Sequence, residues 1–490
     1  MLITLLVMAA WGMASVVAQI RPFWIDEWRI IYNLKFLSAT AIWGKLAFMQ
    51  QFPRVYLFLL KLFTSACGYS YTSLRLIPYL AGLAAIWCIY DTARRIYGPR
   101  EPYRYLMVMM LISCSTFTEY FVEVKQYSME LLLSAAALWQ LHYLLRLGDR
   151  PLKAAGYALF CMAMLLCPFF SYTYAIVIAP VYGVVLLHNI ATWNNGTGNG
   201  KMRTIVMQWI PLCLCTFSIT VFYLVDAAHL SADGDMQNYW RHLMPGGRTP
   251  FAERMFHFLA QAGSGLLFWW LFGLACTGAL GWAIFRVAKA IRKRDVTVEN
   301  SILLYALLVV LLVVTLNQAG RLPLGEPRLN AFGVPALSVL LIALLQALRT
   351  KARKKLWPDI LAYLLLAGLT GNIYSTIAAC FTDGKYAQRM ETYRASEKAL
   401  QMATGQHLPI LVTPEVAYPY NGTENLPWRT PIPGDWVLMT WPAYDAADML
   451  PIYAVPDTND LGSYLQRLPT GTARVMVGNG ISYRVVDVMH

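Results

Sequence analysis

Carboxylates set between aromatic residues are the groups in this chain best suited to acid–base chemistry. Residues 24–28 read WIDEW, so Asp26 and Glu27 lie side by side between two tryptophans. A carboxylate in such a place could take a proton from a hydroxyl group as a general base. The alternative is a solvated pair of loop charges beside the aromatic belt of a membrane surface.

A second segment, residues 119–130 (EYFVEVKQYSME), contains three acids and a lysine. Glu119 and Glu123 are four residues apart, and a helix there would place Glu123, Tyr127 and Glu130 on one face. Such a group at the mouth of a helical bundle indicates a polar cavity rather than lipid contact. The alternative is a salt-bridged helical hairpin.

A third segment, residues 321–328 (RLPLGEPR), has an arginine at each end. A guanidinium group can hold phosphate through paired hydrogen bonds, although arginine also anchors helices at a membrane interface. Glu253 and His257 have the i, i+4 spacing of a metal pair, but one such pair is weak evidence for a metal. The sequence contains no glycine-rich nucleotide loop and no P-loop.

The composition indicates the kind of scaffold that must position these groups. Of the 490 residues, 58% are hydrophobic and 14% are charged, and the mean hydropathy is +0.46. Soluble domains are about half apolar and about a quarter charged. The composition therefore excludes a secreted disulfide scaffold, a fibrous protein and a simple cytosolic enzyme, and it favours a polytopic membrane protein.

A membrane-crossing helix needs about 20 mainly apolar residues. The apolar runs predict eleven spans, at residues 2–20, 74–93, 105–119, 127–145, 154–170, 172–190, 205–225, 263–285, 301–317, 329–348 and 358–379. Two segments that mix aromatic, basic and apolar residues, 26–37 and 53–66, are typical of helices lying at the membrane interface. The predicted fold is therefore an all-α polytopic membrane bundle over residues 1–380.

The net charge of +13 is unevenly distributed along the chain. Residues 1–380 contain 32 basic and 16 acidic side chains, whereas residues 381–490 contain 8 and 11. A basic excess among apolar segments sets membrane topology or holds lipid phosphate, and we expect no nucleic-acid partner.

Basic residues cluster in alternate short connections, which predicts the orientation of the chain in the membrane. These connections contain 19 of the 32 basic residues: Arg94, Arg95, Arg100, Arg104, Arg146, Arg150, Lys153, Lys201, Arg203, Arg286, Lys289, Arg292, Lys293, Arg294, Arg349, Lys351, Arg353, Lys354 and Lys355. That side should be cytoplasmic, with the N-terminus inside and the C-terminus outside. The first 20 residues could also be a signal peptide, but they lack a basic n-region.

Residues 381–490 are predicted to form a separate, small α/β domain on the outer side. Glycine and proline punctuate a pattern of helices at 387–403, 445–450 and 458–467 and of strands at 409–413, 435–440, 452–455, 473–478 and 482–488.

Four stretches resemble one known family in their order and spacing. They are residues 24–27 (WIDE); 51–62 (QFPRVYLFLLKL) with 73–78 (SLRLIP) and 93–98 (ARRIYG); 123–128 (EVKQYS); and 327–337 (PRLNAFGVPAL). The first resembles the family's acidic motif, and the second resembles its HPPLYYLLLRLW and LRLPSALFG…ARRLFG segments. The third resembles its EARPYAL segment, and the fourth resembles its RYLLPALPAL segment. That family is the GT-C superfamily of bacterial membrane glycosyltransferases, in its family 39 branch (dolichyl-phosphate-mannose-protein mannosyltransferase or aminoarabinose transferase type). Gln51, Phe52 and Lys125 depart from the family's His, Pro and Arg.

The resemblance implies that a sugar is moved from a polyprenyl-phosphate donor to an acceptor at the outer face, with inversion at the anomeric carbon. Asp26 would then be the general base, with Glu27 and Glu123 orienting the reacting hydroxyls. The other implied roles are binding of the donor phosphate, by Lys125, Arg328, Arg75 and Arg241, and positioning of substrate, by Tyr56, Tyr127 and Glu119. A monophosphate leaving group lowers the demand for a metal, so no cofactor is expected, although a divalent metal is possible.

Two other functions remain open on the sequence. A flippase or transporter for a polyprenyl-linked sugar would show symmetry between its halves and charges near the bilayer midplane, whereas the acids here cluster at the outer mouth. A polysaccharide polymerase or ligase would also act at the outer face, on lipid diphosphates. The implied location is the bacterial inner membrane, with lipid, glycan or protein as acceptor.

Overall fold

The structure is a computed structural model of the whole chain. It describes residues 2–17, 23, 25–46, 50–98, 102–148, 152–192, 198–228, 240–263, 269–293, 297–351 and 356–382, and in the C-terminal part residues 402, 406, 408, 410–412, 452–454, 473–478 and 483–487.

Helices account for nearly all of the regular structure before residue 383. They are α1 Leu2–Val17, α2 Ile25–Phe36, α3 Arg54–Cys67, α4 Tyr71–Tyr97, α5 Tyr103–Ser113, α6 Ser115–Tyr120, α7 Tyr127–Arg146, α8 Ala154–Leu166, α9 Tyr174–Thr192, α10 Gly198–Phe222, α11 Phe251–Ala260, α12 Trp269–Lys293, α13 Val298–Gln318, α14 Pro327–Asn330, α15 Val334–Lys351 and α16 Trp357–Thr382. Helices α2 and α3 confirm the two helical segments predicted at 26–37 and 53–66.

Within the described part of the chain, seven stretches of helix are long and apolar enough to cross a membrane: α4, α9, α10, α12, α13, α15 together with α14, and α16. Three shorter apolar helices, α1, α5 and α8, lie at other predicted spans, and α7 covers the predicted span at 127–145. The chain is therefore a multi-pass membrane protein built from α-helices, as its composition predicts.

The predicted span at 105–119 is wrong as a continuous helix, because the chain breaks at Cys114 between α5 and α6. A break at membrane depth frees backbone carbonyls that must find partners inside the protein. Here the Thr118 hydroxyl donates to the Ile112 carbonyl at 2.6 Å, and Asn372 Nδ2 donates to the Ser113 carbonyl at 2.9 Å. These side chains stabilise a broken helix that an apolar pattern alone does not predict.

The predicted span at 263–285 differs from the structure at residue 263, which belongs to a tight turn. Helix α11 ends at Ala260 and is followed by a tight turn over Gln261–Gly263, and α12 begins at Trp269. The Ser113 hydroxyl donates to the Ala262 carbonyl at 2.6 Å and so fixes this turn against the end of α5.

The described strands of the C-terminal part are β1 Ile410–Val412, β2 Ile452–Ala454, β3 Arg474–Gly478 and β4 Tyr483–Asp487. They form one sheet in the order β2-β1-β3-β4, with β1 parallel to β2 and β3, and with β3 antiparallel to β4. Strands predicted at 409–413, 452–455, 473–478 and 482–488 are confirmed. The elements predicted at 387–403, 435–440, 445–450 and 458–467 lie outside the described residues, apart from residue 402.

The chain divides into two compact units. One contains Met1–Val16, Gln51–Leu60 and Arg75–Ala378, and the other contains Val17–Gln50, Lys61–Leu74 and Ala379–His490. The division into domains 1–380 and 381–490 stays a prediction, because most of residues 381–490 lie outside the part described.

Asp91, near the end of α4, is a buried carboxylate with three donors. Arg94 Nη2 lies 2.8 Å from Asp91 Oδ1, and Arg95 Nε and Trp139 Nε1 lie 2.5 and 3.1 Å from Asp91 Oδ2. Asp359 is more exposed, with 22% of its side chain accessible, and pairs with Arg349 Nε at 3.3 Å. The two sites allow a buried and a partly exposed ion pair to be compared.

We expect Asp91→Asn to lower the free energy of unfolding by about 1–3 kcal/mol, because an amide satisfies the buried donors less well. Asp359→Asn should cost less than about 1 kcal/mol, since partly exposed pairs contribute little. Thermal unfolding of both variants in detergent measures the difference. An equal loss for the two would contradict the assignment of Asp91 as a buried anchor.

Candidate functional site

The turn between α6 and α7 places the second acidic segment. Glu123 N–H donates to the Tyr120 carbonyl at 3.1 Å, and Lys125 N–H donates to the Glu123 carbonyl at 2.6 Å. Glu123 is therefore in a tight turn, and the prediction that it shares a helix face with Tyr127 and Glu130 is wrong. The turn ends the helical register before α7 begins at Tyr127.

Glu123 and Lys125 are buried, with 1% and 6% of their surface exposed, and each interacts with a neighbour. Ionised groups are rarely removed from solvent without a partner, so this turn is a polar interior. Tyr127 is also buried and its ring packs edge-on against Tyr120, with centroids 5.7 Å apart. Glu119 lies on α6 and is partly exposed.

A cationic position lies at the start of α14. Arg328 Nε is 3.0 Å from Glu326 Oε1, and the guanidinium lies 5.3 Å from the centre of the Trp240 ring. The preceding turn is held by Asn330, which donates to the Pro323 carbonyl at 2.9 Å and accepts from the Gly325 N–H at 2.7 Å. Arg328 is thus held on a rigid turn with 17% of its side chain exposed.

Arg254 on α11 is a buried cation that the sequence does not single out, whereas the spacing of its neighbours Glu253 and His257 does. Its Nη1 donates to the Leu243 carbonyl at 2.7 Å, and Asn317 Nδ2 donates to the same carbonyl at 3.0 Å. Glu253 and His257, the pair singled out by spacing, lie 3.8 Å apart on the exposed side of the helix. The available signal was the strongly amphipathic pattern of α11, which predicts one buried face.

Helix α14 packs against both α6 and α11, so the structure brings the Arg328 turn beside the helix that carries Glu119. Arg241 is exposed and belongs to the short helical turn Arg241–Leu243, next to Trp240. Arg75 is fully buried, and its Nη1 donates to the Ser15 carbonyl at 3.3 Å. Its phosphate-binding role and that of Arg241 stay predictions.

The beginning of α3 is fixed by a buried network. Asp226 Oδ2 accepts from the Arg54 N–H at 2.7 Å. The Tyr172 hydroxyl contacts Asp226 Oδ1 at 2.8 Å and the Phe52 carbonyl at 2.9 Å. Burial, and secondarily the charge of Asp226, raise the pKa of the Tyr172 hydroxyl, so it remains a donor at neutral pH. Arg54 Nη1 also donates to the Phe52 carbonyl, at 2.8 Å.

Tyr56, predicted to position substrate, lies within the first turn of α3. Its ring stacks on Phe52 at 5.2 Å and tilts against Phe170 at 6.4 Å. Its hydroxyl is buried and has no hydrogen-bond partner among the residues that the structure describes. Burial raises its pKa, so the group is a protonated donor.

Asp26 and Glu27 lie in the first turn of α2, in the second compact unit. Asp26 keeps 22% of its side chain exposed and accepts from Arg29 Nη1 at 3.4 Å. Glu27 is fully buried. Trp24 lies outside the described residues. The catalytic roles of Asp26, Glu27 and Glu123 stay predictions.

Within the described part of the chain, no group of three or more His, Cys, Asp or Glu side chains is placed to share a metal ion. Metal independence remains a prediction, since a metal can also be held by fewer protein ligands together with substrate.

Comparison with known proteins supports the resemblance. The family model described as Dolichyl-phosphate-mannose-protein mannosyltransferase matches residues 51–224, less than half of the chain. No curated protein sequence matches. Two crystal structures of ArnT from Cupriavidus metallidurans are similar. One, bound to undecaprenyl phosphate, has a TM-score of 0.52 at 10% identity, and the other, in the apo state, has 0.50 at 12%.

Each alignment covers 97% of this chain and 92% of ArnT. At this identity the likeness establishes the fold alone: the chain has an ArnT-like helical membrane bundle, as predicted.

Tyr172→Phe should lower the free energy of unfolding by about 1–3 kcal/mol, because it removes the buried hydroxyl that contacts both Asp226 Oδ1 and the Phe52 carbonyl. Tyr223→Phe removes an exposed hydroxyl close by and should change stability by less than about 0.5 kcal/mol. Thermal unfolding in detergent compares the pair. Equal stability of both variants would show that the network does not hold the start of α3.

Proposed function

We propose that this chain is an integral membrane glycosyltransferase. It moves a monosaccharide from a polyprenyl-phosphate donor to an acceptor at the outer face of the membrane, with inversion at the anomeric carbon. The observation that carries the proposal is the fold shared over nearly the whole chain with ArnT, which was crystallised with undecaprenyl phosphate. The family match over residues 51–224 supports the same reaction class.

The acidic residues have the chemistry that the reaction requires. An acceptor hydroxyl needs a base, and Asp26 is partly exposed with its carboxylate near the Arg29 guanidinium. We assign the proton transfer to Asp26, and we assign the orientation of acceptor or sugar hydroxyls to Glu27, Glu123 and Glu119.

The departing phosphate needs positive charge in a site with little water. Arg328 supports this role best, because its turn is rigid and its guanidinium remains partly exposed. Lys125 is buried in the neighbouring polar turn. Arg75 and Arg241 are retained as further candidates, and Tyr56 and Tyr127 as positioning residues. No cofactor is proposed.

The same proposal sets the location and partners. The chain would lie in the bacterial inner membrane, with its N-terminus in the cytoplasm and residues 381–490 in the periplasm. The acceptor would be a lipid, a glycan or a protein hydroxyl. A flippase, or a polymerase acting on lipid diphosphates, remains as an outcome of the test.

We expect purified protein in detergent with lipid to release labelled sugar from one member of a panel of polyprenyl-phosphate sugars. Asp26→Asn should lower kcat by about 10²- to 10⁴-fold, the usual contribution of a general base. Its donor Kd should stay within about threefold, because this uncharged substitution keeps the size of the side chain. Glu253→Gln, at an exposed acid of α11, is the matched control and should keep wild-type activity.

Donor that binds but is never cleaved, across the panel and with crude envelope acceptors present, would replace the proposal by transport or by a diphosphate-linked substrate. Full activity of Asp26→Asn would remove the general-base assignment and leave the reaction class intact.

We also expect turnover to resist EDTA, because a monophosphate leaving group can be neutralised by arginine and lysine. The measurement is kcat/KM before and after chelation, with restoration attempted by Mg²⁺, Mn²⁺ and Zn²⁺. A loss that one of these ions reverses would establish a metal-dependent site.

A further inference from the structure

The break between α5 and α6 is surrounded by buried, uncharged polar side chains. Gln261, Thr116 and Asn372 are 1%, 0% and 2% exposed. Ser113, the last residue of α5, donates to the Ala262 carbonyl and accepts from Asn372 Nδ2. Asn372 and the tight turn Gln261–Gly263 therefore meet the chain at the same break, and Thr116 lies at the start of α6, which follows the break.

Two of these side chains present polar atoms without partners. Both amide atoms of Gln261 and Asn372 Oδ1 make no hydrogen bond to the described residues, whereas the Thr116 hydroxyl interacts with the Cys114 thiol, a weak hydrogen-bonding group. Burying a polar group without a partner costs about 1–3 kcal/mol, so a cluster of such groups is unusual unless a ligand uses them. Non-helical backbone at membrane depth is likewise tolerated where it lines a polar cavity.

The position of Gln261 places this cluster close to the segment that follows α14, the helix that carries Arg328. Gly333 follows α14, and a Cβ atom there would lie 3.5 Å from Gln261 Nε2 and 2.7 Å from the Phe258 ring. The amide of Gln261 thus lies against the turn at Ala331–Gly333, which directly follows α14, the helix that carries Arg328. Neutral donors and acceptors close to a helix that carries a cation suit the hydroxyls of a sugar whose phosphate the cation holds.

We propose that Gln261, Thr116 and Asn372 form the subsite for hydroxyl groups of the transferred sugar, and that Gln261 selects among sugars. This inference rests on the proposed glycosyl transfer. An uncharged amide and hydroxyl pair with hydroxyl groups and discriminate strongly against a donor that lacks one of them.

Gln261→Met tests the subsite because it keeps the length of the side chain and removes both polar atoms. We expect kcat/KM for the accepted donor to fall about 10- to 100-fold, the effect of losing a buried hydrogen bond to substrate. The kcat/KM of wild type should fall by a similar factor when one monodeoxy analogue replaces that donor. The kcat/KM of the variant should fall by no more than about twofold on the same replacement. Thr116→Val gives a second, independent test with the same series.

Stability separates binding from a structural role. A buried amide without partners destabilises the free protein, so Gln261→Met should leave the Tm unchanged or raise it. Gln208→Met is the matched control, since Gln208 is equally buried on α10 and donates to the Leu144 carbonyl at 2.7 Å. Its kcat/KM should stay within about twofold of wild type for every donor, because a site away from the subsite adds no coupling.

The outcomes are distinct. Wild type that transfers no sugar overturns the proposed function and this inference with it. Active wild type with an unchanged Gln261→Met overturns the inference alone, and the cluster then holds water only. If the loss in kcat/KM caused by Gln261→Met multiplies with the loss caused by the deoxy change for every analogue, Gln261 acts through packing and the inference is overturned. A fall in the Tm of the variant has the same meaning.

Discussion

Backbone groups that a helix leaves unpaired inside a membrane must be satisfied by the protein itself, and the α5–α6 break depends on this constraint. Thr118 and Asn372 satisfy the carbonyls of Ile112 and Ser113, and Ser113 in turn fixes the turn after α11. The break therefore connects three helices that are distant in sequence. It also allows α6 to form a short separate element, so that the buried turn with Glu123 and Lys125 begins where it does.

The same constraint governs the buried charges. Asp226 caps the N-terminus of α3 and accepts from Tyr172, and Arg254 is directed at the Leu243 carbonyl. In each case a long-range hydrogen bond fixes an irregular segment at the end of a helix. Groups held in this way have their positions fixed before any substrate binds.

Much of the site was visible in the sequence because charge is rare in apolar segments. The acids at 119–130 and the arginine at 328 stand out for this reason, and both segments prove to be polar and neighbouring. Asp226 directly follows a predicted span, where a charged residue is ordinary. Gln261, Thr116 and Asn372 carry no charge. Uncharged residues become distinctive only when burial and the lack of a partner are known, and neither follows from residue type.

The sequence by itself determined that the chain is a multi-pass helical membrane protein with β-strands in its C-terminal part, since hydrophobic length and β-branched runs are local properties. It also determined the order of the motifs that resemble the GT-C superfamily. Only the tertiary structure decided that α5 breaks at Cys114, that Glu123 lies in a turn, and that Gln261 meets Gly333. These depend on hydrogen bonds and close packing either within one turn or between residues as far apart in the sequence as Ser113 and Asn372. A pattern in one segment of the sequence does not contain such contacts.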